Sequence, residues 1–247
     1  MELSETLHEL YSNYNGAVVL MIGENEHGDV ASGTGFHVGN GIIVTAAHVA
    51  CLAKRRILAG DHPRGRYELK SGATHCHEDE TIDLAVIQTD FEQKRLGHFH
   101  PHETLGPAHA PFIPIGGHLD DWLDNAFILT RVILMGFPSV ALTREMELLA
   151  VAGEVNAIVD KYSTPHPYFI ISSIPRGGFS GGPVIQEWNF LLGVLTESLT
   201  TGANALEIGF AAVLSVEPLL VLLGRSRLRP REIDDQMGSL FTGEEVP

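Results

Sequence analysis

From about residue 17 the apolar positions fall into short runs, each cut off by Gly, Asn, Asp or Pro. The runs at 17–22, 34–38, 42–46, 82–88, 127–135, 148–159, 168–172, 183–186, 191–196 and 209–213 have the length and the β-branched content of strands. Gly39-Asn40-Gly41 is a strong turn signal between two of them. Many short strands at this spacing predict an all-β sandwich or barrel architecture. The two ends read differently. Leu3, Leu7 and Leu10 form a stripe at helical spacing and predict a short helix over 3–14, and 215–223 reads as a closing helix. Between about 90 and 125 the strand pattern gives way to a His- and Pro-rich connection. This divides the chain into a helical segment at 1–14, a first β unit with its connection at 15–120, a second β unit with the closing helix at 121–224, and a flexible tail at 225–247.

Composition narrows the function classes. In 247 residues there are 16 Lys and Arg against 31 Asp and Glu, a net charge of −15, which argues against nucleic acid as a partner. Two cysteines, Cys51 and Cys76, are not a disulfide framework. The N-terminus is acidic and lacks the basic start and apolar run of a secretory signal. No apolar stretch reaches transmembrane length, so the expected setting is cytoplasmic, without a membrane partner.

Candidate chemistry begins at 177–183, Gly-Gly-Phe-Ser-Gly-Gly-Pro. A serine between glycine pairs suits a tight loop that presents a hydroxyl and aims backbone N–H groups at one point, as a serine nucleophile with an oxyanion hole requires. The hydroxyl needs a base, ordinarily an imidazole oriented by a carboxylate. Two segments offer these. The apolar run 41–47 ends in small Ala46 and Ala47 and then His48. Thr81-Ile82-Asp83-Leu84-Ala85-Val86 places one carboxylate at the start of an apolar strand, where it needs a partner.

Chain order discriminates between serine-hydrolase types. Gly178-Phe179-Ser180-Gly181-Gly182 also satisfies G-x-S-x-G, but the α/β-hydrolases that carry it place their histidine after the serine, and the last histidine here is His166. The order Asp, His, Ser would need a carboxylate before His48, where Asp29 in a polar turn is the one aspartate. The order His48, Asp83, Ser180 remains. Together, Thr45-Ala46-Ala47-His48, Asp83-Leu84-Ala85-Val86 and Gly178-Phe179-Ser180-Gly181-Gly182-Pro183 resemble the trypsin/chymotrypsin-like serine peptidases. The style is closer to HtrA-like or glutamyl-endopeptidase-like intracellular and bacterial members than to disulfide-rich digestive enzymes.

The resemblance spans about 15–223 and implies two packed six-stranded antiparallel β-barrels with the site between them. It implies a serine endopeptidase working through an acyl-enzyme, with Ser180 as nucleophile, His48 as general base and Asp83 as its orienter. The oxyanion hole would be the N–H groups of Gly178 and Ser180. The substrate would be a polypeptide, and no cofactor or metal is called for. The primary pocket would have Ile174 near its floor, Thr196, Glu197 and Ser198 along one wall and Gly209 opposite. With no acid at Ile174, a small or medium apolar residue before the scissile bond is expected.

One departure from the family bears on activation. Zymogen-activated relatives have an aspartate just before the nucleophile, and here that place is Phe179, which cannot pair with a new N-terminus. Trypsin-style activation is therefore not expected, and Phe179 is expected to pack beneath the loop. An activating protein partner is left open, and the alternative is a silent or latent peptidase-fold binding module that needs a partner to form its hole.

Other features have plainer readings. His75-Cys76-His77-Glu78-Asp79-Glu80 matches no zinc spacing and reads as a solvated loop. His98, His100, His102, His109 and His118 read as exposed histidines of the connection. Cys51 is expected to face a core, and Trp122 and Trp188 to serve packing.

Overall fold

A computed structural model of the chain describes residues 6–60, 65–93, 111–116, 126–141, 143–160, 166–173, 177–201 and 206–231. Its first β unit comprises β1 (Val18–Glu24), β2 (Val30–His37), β3 (Ile42–Thr45), β4 (Ala53–Ala59), β5 (Tyr67–Leu69), β6 (Ser71–Cys76) and β7 (Ala85–Thr89). The second comprises β8 (Arg131–Gly136), β9 (Leu149–Asp160), β10 (Pro167–Ile171), β11 (Pro183–Gln186), β12 (Phe190–Thr201) and β13 (Leu206–Ser215). The helices are α1 (Leu7–Tyr14), α2 (Ala47–Ala50) and α3 (Glu217–Arg225). The second unit is the expected closed six-stranded antiparallel barrel, in the order β10-β13-β12-β11-β8-β9. The first differs in detail: it is a curled seven-stranded sheet, β5-β4-β1-β2-β3-β7-β6, with β5 and β6 at its open edges.

The near-continuous apolar runs of β1, β3 and β7 have a direct cause. Strand side chains alternate between faces, and here both faces are buried. Val18 and Leu20 of β1 join Ile42 and Val44 of β3 and Val86 of β7 in a core shared with the second barrel. Val19, Met21, Ile43, Ala85 and Ile87 turn the other way, into a smaller core lined by Val49, Ile57, Leu69 and Phe91. A strand buried on both sides has no polar alternation to show. The strands at and beside the open edges carry the opposite signature. β4 and β6 are mostly exposed or half-buried, with Lys54, Arg55 and Arg56 in one and Ser71-Gly72-Ala73-Thr74 in the other. They therefore hide among loop-like sequences.

The first helix starts later than its leucine stripe suggests. The Thr6 hydroxyl accepts from the Glu9 N–H at 3.2 Å, and a Glu9 carboxylate oxygen accepts from the Thr6 N–H at 2.8 Å. This reciprocal capping box sets the first turn at Leu7. Leu10 and Tyr14 then bury against the barrels, and the Tyr14 hydroxyl donates to Asn189 Oδ1 at 2.5 Å.

Residues 225–231, expected to open a flexible tail, instead pack. Their path closes over the turn between β2 and β3. The Arg231 N–H donates to the Val38 carbonyl at 3.1 Å, Asn40 Nδ2 donates to the Arg229 carbonyl at 2.8 Å, and the Arg231 guanidinium reaches Glu92 at 2.7 Å. Gly39 is at φ +100, and a Cβ there would lie 2.4 Å from Arg231 Cβ, so the packed strand of chain needs that glycine. Residues 232–247 lie outside the described residues.

Beneath this turn sits a wholly buried histidine, His37. Its Nδ1 donates to the Pro111 carbonyl at 2.8 Å, its Nε2 accepts from the Gly41 N–H at 3.1 Å, and its ring stacks on Phe91 with centroids 4.3 Å apart. Such partners demand the neutral ring. Burial first, and then the Arg231 charge, lower its pKa from 6.5 to about 4, against the opposing pull of the Pro111 carbonyl and of Glu92, 3.9 Å from Nε2.

Candidate active site

His48 lies in α2, a single turn entered directly from the end of β3 through Ala46, which has extended φ/ψ and no side-chain cap of its own. The first N–H groups of any helix lack intrahelical partners. Asp83 supplies them from another segment. Its Oδ1 accepts the His48 N–H at 2.9 Å, and the neighbouring Ala47 N–H also favours the charged carboxylate. Its Oδ2 lies 2.6 Å from His48 Nδ1. One carboxylate thus caps the helix and orients the ring upon it. Burial pushes the Asp83 carboxyl up, but the His48 ring hydrogen bond, the His48 charge and the two backbone donors outweigh it and hold the group below its ordinary range. With Nδ1 donating to Asp83, Nε2 is left as the acceptor on the far edge of the ring. The pair remains open to solvent, with side chains 54% and 32% exposed for His48 and Asp83. Asp83 sits just before β7 rather than within it, because Ile82 and Leu84 form a tight turn with the Leu84 N–H donating to the Ile82 carbonyl at 2.8 Å.

Ser180 stands on the loop before β11. Its neighbours alternate sharply in exposure: Gly177 is exposed, Gly178 and Phe179 are buried, and Ser180 is half-buried. Gly178 has φ +102, and a Cβ there would meet the Phe137 carbonyl at 2.4 Å. Gly181 has φ +82, and its Cβ position is 2.4 Å from the Thr34 carbonyl and 2.6 Å from the Ala46 nitrogen. The glycines are therefore required twice over, by backbone conformation and by close approach. The second approach matters most. Ala46 leads into the helix bearing His48, so the residue next to Ser180 is seated against that helix's entry.

Phe179 behaves as expected of an apolar anchor. It is 3% exposed, within the core shared by the two β units. The N–H groups of Gly178, Phe179 and Ser180 donate to no protein acceptor among the described residues. Likewise the Ser180 hydroxyl makes no hydrogen bond there, to His48 or to any other group.

The family model of the trypsin-like peptidase domain matches residues 33–194, a stretch that contains His48, Asp83 and Ser180. The chain belongs to this family. Solved structures with the same fold include three proteases, one of them HtrA-type. The active form of the Rv3671c protease from M. tuberculosis is 17% identical, with TM-score 0.60, covering 93% of this chain and 90% of that one. The serine endoprotease from Yersinia pestis is 18% identical, with TM-score 0.58, covering 91% of this chain and 67% of that one. An HtrA-type protease solved with a tripeptide is 14% identical, with TM-score 0.59, covering 98% of this chain and 65% of that one. At these identities the likeness is one of fold. No curated protein matches the chain.

The specificity residues expected of a trypsin-like peptidase are placed less fully. Ile174 lies outside the described residues. Thr196 is buried in β12 at a bulge between Leu195 and Glu197, and its hydroxyl has no hydrogen-bond partner among the described residues. Glu197 and Ser198 follow in β12, paired with Ala212 and Ala211 of β13. Gly209, at φ +87, has open space where a Cβ would point.

Sequence reasoning passed over Thr34. This residue of β2 is wholly buried and binds the serine loop at two points. Its hydroxyl donates to the Gly178 carbonyl at 2.6 Å and accepts from the Phe137 N–H at 3.0 Å, while its own N–H donates to the Ser180 carbonyl at 2.9 Å. Its neighbours Gly33 and Gly35 lack side chains and so make room for Val49 and Ile43.

Two set-aside features also look different. Cys51 does not face a core: α2 spends its inward positions on Val49 and Ala50, leaving Cys51 exposed at the helix end. The loop after β6 is pinned rather than merely solvated. Glu78 pairs with Arg225 of α3, and the His77 ring meets His166 edge-on at 6.3 Å.

Proposed function

We propose that the protein is a serine endopeptidase that cleaves polypeptides through an acyl-enzyme, with Ser180 as nucleophile, His48 as base and Asp83 as the group that orients it. The observation that carries this reading is the double engagement of Asp83, at 2.6 Å with the His48 ring and at 2.9 Å with the His48 N–H, directly beside the glycine-bound seat of the serine loop. In this reading His48 Nε2 takes the Ser180 proton as the hydroxyl oxygen attacks the scissile carbonyl. The unpartnered N–H groups of Gly178 and Ser180 receive the oxyanion. The imidazolium then protonates the leaving amine, and water attacks the acyl-enzyme by the same route in reverse. The primary pocket, formed by Ile174, Thr196, Glu197, Ser198 and Gly209, favours a small or medium apolar residue before the scissile bond.

The test is hydrolysis of a randomised peptide library by the wild-type protein and by Ser180→Ala. Cleavage that vanishes in the variant supports the reading, and cleavage that persists overturns it. Strong cutting after Arg or Lys would overturn the pocket assignment alone.

A second reading has one observation in its favour. The free Ser180 hydroxyl fits a latent module that assembles its machinery only on binding a partner. Catalytic hydrogen bonds often tighten only with substrate in place, so the active reading accommodates the same fact.

A further inference from the structure

We propose that Thr34, from the first β unit, orients the oxyanion-binding backbone of the second; the inference rests on the serine peptidase reading above. The loop needs such a device. Gly177 is exposed with open space around its Cβ position, and Gly178 stands at φ +102, so nothing intrinsic to either residue fixes the peptide planes between them. Phe179 locates the loop by burying its ring, but a phenyl group in a core does not hold the rotation of the peptide units on either side. It also replaces the aspartate that could have held them through an ion pair.

Thr34 acts on the two residues that matter. Its hydroxyl takes the carbonyl of Gly178 at 2.6 Å and its N–H takes the carbonyl of Ser180 at 2.9 Å. These are the residues whose N–H groups would bind the oxyanion. Each pinned carbonyl belongs to the peptide unit that follows its residue, so Thr34 fixes one side of each of the two Cα atoms whose N–H groups project from the other side. The threonine is itself held. The Phe137 N–H donates to its hydroxyl at 3.0 Å, and its carbonyl accepts from the Thr45 hydroxyl at 2.7 Å. Thr45 closes β3, two residues before the helix that carries His48 begins to turn. Thr34 is thus a positioning residue, joined through hydrogen bonds to the serine loop on one side and to the histidine strand on the other.

Valine would fill the same volume while leaving the Gly178 carbonyl and the Phe137 N–H unpaired, whereas serine would keep the hydroxyl. The experiment compares wild type, Thr34→Val and Thr34→Ser by their rate of labelling with a fluorophosphonate probe, by kcat and KM on a cleaved peptide, and by thermal melting. The expected result for Thr34→Val is a loss of labelling rate and kcat of about 10²-fold with KM within about threefold, because a misdirected oxyanion donor costs the transition state more than the ground state. Thr34→Ser should stay within about threefold of wild type throughout, since it retains the donor that meets the oxyanion loop. A folded Thr34→Val protein labelled at the wild-type rate overturns the role, as does a Thr34→Ser protein as slow as the valine variant. Should the valine variant fail to fold, Thr34→Ala against Thr34→Ser makes the same comparison. A folded wild-type protein that takes no label overturns the peptidase reading and this role with it. Labelled wild type with indifferent variants overturns the role alone.

Discussion

Asp83 meets His48 twice, through the ring at 2.6 Å and through the backbone N–H at 2.9 Å. The carboxylate that orients the imidazole is therefore also the cap of the helix that carries it. Structural and chemical roles fall on one side chain. Asp83→Asn should keep much of the capping, because an amide oxygen can still accept the His48 N–H, but it presents a donor or the wrong lone pair to Nδ1 and disturbs the tautomer. Turnover should fall by about 10⁴ with little change in melting temperature. Steady-state kinetics beside a thermal melt separates these effects, and equal activity in the variant would refute the assignment.

Gly181 allows the serine loop to reach the entry of the His48 helix. Gly181→Ala should be among the most damaging single-methyl additions in the molecule. Its Cβ would fall 2.4 Å from both the Thr34 carbonyl and Thr45 Oγ1, on a backbone already at φ +82. A destabilisation of about 2–4 kcal/mol or loss of the soluble fold is expected. Denaturant titration against Ser180→Ala, which adds nothing and should melt near wild type, makes the comparison.

His37 ties stability to pH. Its pKa is about 4 in the folded protein against 6.5 as the ordinary value. Between those values the unfolded chain binds a proton that the folded protein does not, so this contribution is fully present above pH 6.5 and is lost as pH falls toward 4. Its size is about 3 kcal/mol. His37→Gln, which keeps a donor and an acceptor but does not titrate, should flatten the stability profile in that window. An unchanged slope would show that the acid sensitivity arises elsewhere.

Tyr14 ties α1 to the second barrel through its hydroxyl, which donates to Asn189 Oδ1. Tyr14→Phe leaves Asn189 Oδ1 without its 2.5 Å donor and should cost about 1–2 kcal/mol, measured by chemical denaturation, with no loss of catalytic rate.

What could be read from the chain depended on burial. Strands buried on both faces, β1, β3 and β7, announced themselves as apolar runs, and the glycine spacing around Ser180 reported a backbone that no other residue type could follow. The strands β4, β5 and β6, at or beside the open edges, were illegible because their polar residues face water and break up any apolar run. Asp83 was recognisable as a carboxylate in need of a partner. That its partners include the backbone of the histidine helix was not, because capping from another segment leaves no local pattern. Thr34 stayed hidden for a similar reason. A threonine in a strand is ordinary, and its role appears only once the second barrel brings Gly178 and Ser180 against it. The packing of residues 225–231 likewise depends on a glycine turn nearly two hundred positions earlier in the chain.

The most direct measurement is the site of reaction with a fluorophosphonate probe, read by mass spectrometry of the intact protein and its peptides. One adduct is expected, on Ser180, absent from Ser180→Ala and strongly slowed in His48→Ala. A folded wild-type protein that takes no adduct, or takes it on another serine, would contradict it.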